Sequence, residues 1–222
     1  MYRSGTSKIQ LCLVTFGVIV GIIGILHGCA ELLKGLIIVE SHSVEALPEN
    51  FPNNEFYTLM QGSPVFSLLT GIPFYVLGLL AISVSITLIV SAVTFLKVDK
   101  IGISLFALLS LGIFLFGAGE GTPVAVCLPI VIFGILSIVR TKKKERSDSS
   151  KRNILNAFNF FYGLQIFSWV LFFPGLFVLS FYQKIPQALF LFDFMIMPIS
   201  ILGALIFGLM YDNTIKNEFS NV

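Results

Sequence analysis

Four ionisable residues stand in or beside apolar runs of this chain: His27, Glu31, Glu120 and Asp193. His27 and Glu31 are four positions apart, so any helix that holds both places them on one face. Asp193 is flanked by Phe192, Phe194 and Met195. Ionisable groups in such surroundings are costly and read first as functional. Three carboxylates and an imidazole could ligate a metal, move a proton or hold a cation in transit. The plainer reading makes His27 and Glu31 interface residues and leaves Glu120 wetting a short loop.

A second constellation is Asn156, Asn159, Tyr162 and Gln165, one polar residue every three positions. On a helix this spacing makes a slowly drifting stripe. Such a stripe could line a polar path, or it could hydrogen-bond to a neighbouring helix, where each bond contributes about 0.6 kcal/mol.

Several chemistries lack their residues. There is no HExxH pair, nucleophile elbow, phosphate loop or dinucleotide fingerprint. Cys12, Cys29 and Cys127 show neither paired spacing nor a Cys/His cluster, and His27 and His42 do not suit a pair of haem-bearing spans. No cofactor and no nucleic-acid partner is expected. Catalytic residues and metal ligands stay unassigned.

The elements that must position these residues follow from composition. Of 222 residues, 56% are hydrophobic and 12% charged, and the mean hydropathy is +0.93. Average soluble domains are about 25% charged. A bilayer core takes about 20 apolar residues as helix, and six runs qualify: residues 9–29, 67–96, 101–117, 123–139, 157–181 and 186–211. The fold expected is all-α, a polytopic transmembrane bundle of six spans with both ends inside. The 23 phenylalanines serve as lipid-facing and packing residues.

Orientation follows from Lys and Arg. Residues 140–152 carry seven of the 14 basic residues and therefore mark a cytoplasmic loop. Threading six spans from that loop leaves only Lys34 and Lys184 outside, with 12 basic residues inside. The predicted organisation is a four-span part (1–139) with an external loop (35–62), the basic loop (140–152) and a two-span part (153–222). The external loop is acidic, with Glu40, Glu45, Glu49 and Glu55, and reads as a solvated connector. By this topology His27, Glu31, Glu120 and Asp193 all approach the outer boundary of a plasma membrane. Leu26-His27-Gly28-Cys29 also resembles a lipobox, and cleavage there would leave a lipid-anchored five-span protein.

The second, fourth and sixth spans share a pattern. Pro73 and Gly78, Pro129 and Gly134, and Pro198 and Gly203 each stand five residues apart, followed by a leucine two positions on. Proline inside a helix bends it, and glycine admits a close neighbour. Gly28-Cys-Ala-Glu31 and Gly117-Ala-Gly-Glu120 end the first and third spans alike. Three hairpins from one ancestral hairpin would account for both patterns.

The stretches Gly24-Ile-Leu-His27-Gly28-Cys-Ala-Glu31-Leu, Gly78-Leu-Leu-Ala-Ile-Ser and Gly117-Ala-Gly-Glu-Gly-Thr-Pro123 resemble a family of small prokaryotic multi-span membrane proteins with no assigned activity. The resemblance implies a multi-span fold with a glycine-rich turn followed by proline between the third and fourth spans, and it brings no residue roles. The leading functional expectation is a non-enzymatic multi-pass membrane protein. A small transporter or channel subunit, with a polar path between proline-bent helices, comes second. An intramembrane enzyme or metal site at the outer face comes third. The expected partner is the lipid bilayer, with self-association into a homo-oligomer left open.

Overall fold

The computed structural model describes residues 7–40, 43–44, 65–66, 69–95, 100–116, 148–179, 182 and 186–219. Among them the chain is helical apart from one short strand pair, an isolated antiparallel bridge between Ile38 and Pro73, and short turns. Helix α1 (Lys8–Lys34) precedes β1 (Ser43–Val44) and β2 (Val65–Phe66), then α2 (Phe74–Val90) with a π-helical end (Ser91–Phe95), and α3 (Lys100–Phe116). Helix α4 (Asp148–Val170) continues through a π-helical segment (Leu171–Leu176) into a final turn (Phe177–Leu179), and α5 (Gln187–Phe219) follows.

Four stretches are long and apolar enough to cross a bilayer: Lys8–Lys34, Phe74–Thr94, Asp148–Leu176 and Leu191–Ile215. They match the first, second, fifth and sixth expected spans. The third appears as the shorter apolar helix Ser104–Phe116. The fourth, residues 123–139, lies outside the described residues, as do Glu120, Cys127 and most of the basic loop.

Side-chain placement fits a lipid solvent. Leu26, Leu79, Ile86, Leu108, Phe160, Phe167 and Phe192 are exposed, whereas Ser85, Ser110, Gln165, Ser168, Asp193 and Ser200 are buried. Hydroxyls along the helices return to their own backbone: Ser83 Oγ donates to Leu79 O at 2.7 Å, Ser110 Oγ to Phe106 O at 2.8 Å and Thr214 Oγ1 to Met210 O at 2.7 Å. Such bonds satisfy polar groups where water cannot.

The chain divides into two units, Val14–Pro129 and a second made of Met1–Leu13 with Ile130–Val222. Within the first, α1 packs on α2 through glycine. A Cβ at Gly28 would lie 2.8 Å from Gly78 O, and one at Gly78 would lie 2.6 Å from Gly28 O. Only hydrogen at both positions lets the two backbones come this close. Further along, Gly24 rests on Ser85, Gly21 on Ile89 and Gly17 on Ala92. Phe106 of α3 meets Phe16 with ring centroids 6.3 Å apart.

The exit from α1 also builds the entry to α2. Gly35, at φ 68°, turns the chain, and its N–H donates to Leu32 O at 3.1 Å, which closes the helix. Phe74 N then donates to Ile37 O at 3.0 Å and Tyr75 N to Gly35 O at 2.8 Å. Two otherwise orphaned amides at the start of α2 are thereby satisfied. Val39, Phe74 and Leu77 form a small buried cluster there. Between α1 and α2, Ser43 pairs with Phe66 and Val44 with Val65, antiparallel.

One expectation changes here. Pro73 does not bend the second span: it is the N-cap of α2, with φ −61° and ψ 140°. A proline at a helix start costs little, because its missing N–H would have had no helical partner. Pro198 does lie inside α5, while Pro129 is outside the described residues. Pro174, which the repeated pattern does not include, lies inside the π-helical segment that follows α4.

In the second unit, α1 begins on an acceptor from the far end of the chain. Asp212 of α5 accepts from Ser7 Oγ at 2.6 Å, Lys8 N at 2.9 Å and Ile9 N at 3.0 Å. Ser7 Oγ accepts from Gln10 N at 3.3 Å, and Leu11 N reaches Ser7 O at 3.0 Å. All the orphan donors of the first turn are used. Lys8 Nζ lies 5.5 Å from the Phe158 ring and 5.9 Å from that of Tyr211, within cation–π range. Gly203 of α5 receives the ring of Phe161 from α4, and that ring stacks on Phe207 at 5.5 Å.

Candidate functional site

The strongest site chemistry lies between α4 and α5. Asp193 is 2% exposed and sits on the second turn of α5. Its Oδ1 accepts from Ser168 Oγ at 2.6 Å. Its Oδ2 is buried with no hydrogen-bond partner among the described residues. A buried carboxylate with an unserved oxygen carries a penalty of several kcal/mol, of order, unless a counter-charge or proton reaches it. In this unit Lys151 and Arg152 stand near the start of α4, about four turns from Ser168, and Lys8 lies over the rings of Phe158 and Tyr211.

Ser168 joins Asp193 to the polar stripe. It stands three residues beyond Gln165 and so extends the series Asn156, Asn159, Tyr162, Gln165 by one step. A helix turns about 100° per residue, so steps of three rotate the stripe by roughly 60° each. The burial follows that rotation. Asn156 and Asn159 are exposed, Tyr162 is half-buried, and Gln165 and Ser168 are buried. Gln165 is 1% exposed, and its Oε1 has no hydrogen-bond partner among the described residues. A graded polar track therefore leads from the N-terminal part of α4 to the buried carboxylate.

The helix that carries the track changes form directly beyond it. The π-helical segment Leu171–Leu176 starts three residues after Ser168 and contains Pro174. Proline offers no N–H, so the main chain of the preceding turn is one donor short. Wider turns of this kind absorb that defect and recur at functional sites.

His27 and Glu31 lie in the other unit, and their geometry points to fastening. Glu31 is 4% exposed. Its Oε1 is 3.2 Å from His27 Nε2 and 3.6 Å from Lys34 Nζ, while its Oε2 has no hydrogen-bond partner among the described residues. Lys34 Nζ also lies 4.5 Å from the Phe74 ring centroid. The glutamate thus stands at the α1–α2 contact with a basic group on each side. Among the described residues there is no group of three or more His, Cys, Asp or Glu that could hold a metal ion. Glu120 is outside the described residues. Cys29 is exposed on α1 and Cys12 is buried.

Two site features escaped the sequence reading. Topology alone groups Asp193 with His27, Glu31 and Glu120, whereas its hydrogen-bonding partner is Ser168. The signal was present, since Ser168 keeps the three-residue spacing. Asp212 was not singled out, and only its contacts with Ser7, Lys8 and Ile9 reveal its part.

No protein-family model, curated protein or solved structure matches the chain.

Proposed function

We propose that the chain is a non-enzymatic, multi-pass plasma-membrane protein of six spans with both termini cytoplasmic, acting as a small transporter or channel subunit. The conducting element is the α4–α5 hairpin, and the observation that carries this reading is the bond from Ser168 Oγ to Asp193 Oδ1 at 2.6 Å. It ties a graded polar stripe to a buried carboxylate, the combination that marks ion and substrate paths in membranes.

The topology draws support from two independent facts. The basic residues divide 12 to two under a six-span threading. Asp212, near the end of the last span, also caps the first turn of α1, which suits chain ends that share one side. The outer-face enzyme or metal reading draws less support, because the acid beside His27 already has Lys34 as its neighbour.

The test is flux. Full-length protein in proteoliposomes should carry a cation or small polar solute above the protein-free background. Asp193→Asn should return that flux to background with the protein still inserted. Equal flux from wild type and variant would contradict the path, and so would no flux of any tested solute.

A further inference from the structure

We propose that Asp193, Ser168 and Gln165 form an intramembrane binding site for a small monovalent cation such as Na⁺ or Li⁺. The inference rests on the transport reading of the α4–α5 hairpin and names the ligand of that site.

The donor set selects the ligand. Asp193 Oδ2 and Gln165 Oε1 are both acceptor-only atoms, both buried, and both without a hydrogen-bond partner among the described residues. Gln165 and Ser168 are three residues apart and share a helix face, and Ser168 touches Asp193 at 2.6 Å. The hydroxyl donates its proton to Oδ1, which leaves its lone pairs free to face a cation. Every available donor is an oxygen, which suits hard alkali and alkaline-earth ions and disfavours soft metals.

Charge then separates the two groups of hard ions. The site offers a single carboxylate and neutral partners, so a monovalent ion gives a neutral complex. A divalent ion would leave a net positive charge buried at membrane depth, which is expensive. A proton could serve Asp193 Oδ2, but the amide oxygen of Gln165 would still lack a partner. A cation bound by both oxygens would satisfy both. The stripe through Tyr162, Asn159 and Asn156 provides polar contacts for an ion approaching from the N-terminal part of α4.

The experiment is a cation titration of the purified full-length protein in detergent, read as melting temperature, with choline chloride holding ionic strength constant. The expected result is a saturable upward shift with NaCl or LiCl. That shift should disappear in Asp193→Asn and shrink in Gln165→Leu. Ser168→Ala should weaken the apparent affinity. The wild-type comparison of Na⁺ with choline stands even if a variant fails to fold.

No saturable shift with Na⁺, Li⁺ or K⁺ would overturn the site, and so would a shift that survives in Asp193→Asn. Stabilisation by Ca²⁺ or Mg²⁺ alone would overturn the monovalent assignment. A response to pH with none to alkali ions would make Asp193 a proton carrier and overturn it too. Binding and flux separate the two claims: stabilisation without flux upholds the site and removes the transport reading. Flux without stabilisation keeps transport and removes the site.

Discussion

Gly28→Leu is expected to separate α1 from α2 and to cost about 3 kcal/mol or more of stability. A Cβ at residue 28 would meet Gly78 O at 2.8 Å and Ile82 N at 3.2 Å. Both are main-chain atoms of a helix, so no side-chain rotation relieves the clash. The helices would have to move apart, and the contacts of Gly24, Gly21 and Gly17 along the same seam would loosen with them. In lipid no hydrophobic drive compensates, because the tails are as apolar as the side chains that lose contact. Thermal unfolding in mild detergent, followed by size-exclusion profile, measures the effect. Gly163→Leu is the control, since nothing lies within 4 Å of a Cβ there and its melting temperature should hold. A wild-type melting temperature for Gly28→Leu would remove this account of the seam.

Asp212→Ala is expected to fray the start of α1 and to lower stability by about 2 kcal/mol. The carboxylate takes three donors at once, from Ser7 Oγ, Lys8 N and Ile9 N. Loss of the acceptor leaves two main-chain amides unserved at a partly buried helix start. Asp212→Asn keeps one oxygen and should lose less than Asp212→Ala. Hydrogen exchange resolves the effect locally: the amides of Lys8 and Ile9 should exchange faster in the alanine variant, with Ile201 on the same α5 helix unchanged. Equal protection at Lys8 and Ile9 in wild type and Asp212→Ala would show that the cap is dispensable.

How far these features were legible depends on what apolar sequence encodes. Length and hydropathy locate a span, and 9–29 became Lys8–Lys34 with one added turn that carries Glu31 and Lys34 into the helix. Place along an apolar helix is also legible: His27 and Glu31 stand within Lys8–Lys34, and Asp193 within Leu191–Ile215. Azimuth is not. In a soluble helix the polar face identifies the exposed side, but here lipid and protein interior are equally apolar. Nothing in the run around Asp193 says that it faces Ser168. The three-residue stripe was visible, yet its last member, Ser168, is a residue type that often bonds to its own backbone and so attracts no notice.

Glycine was legible in a form that went unused. Gly17, Gly21, Gly24 and Gly28 recur at four, three and four residues, the spacing of a small-residue packing face. Pro73 misled because proline's consequence depends on position: inside a helix it bends, at the first turn it merely begins one. The pairing of Asp212 with the start of α1 spans some 200 residues of chain, with separations of 203 to 205 for its three bonds. No local pattern encodes that distance.

The polar track itself can be measured directly. Single cysteines replace Asn159, Tyr162, Gln165 and Phe167 in a background without Cys12, Cys29 and Cys127, in sealed vesicles. A charged, membrane-impermeant thiol reagent is then applied to each side in turn. The track predicts reaction at 159, 162 and 165 from the side of the basic loop, with rates falling towards 165. It predicts none at 167, whose side chain is exposed on another face of the helix. Reaction at 167 equal to that at 162, or no reaction at 162 and 165 from that side, would contradict a polar path to Asp193.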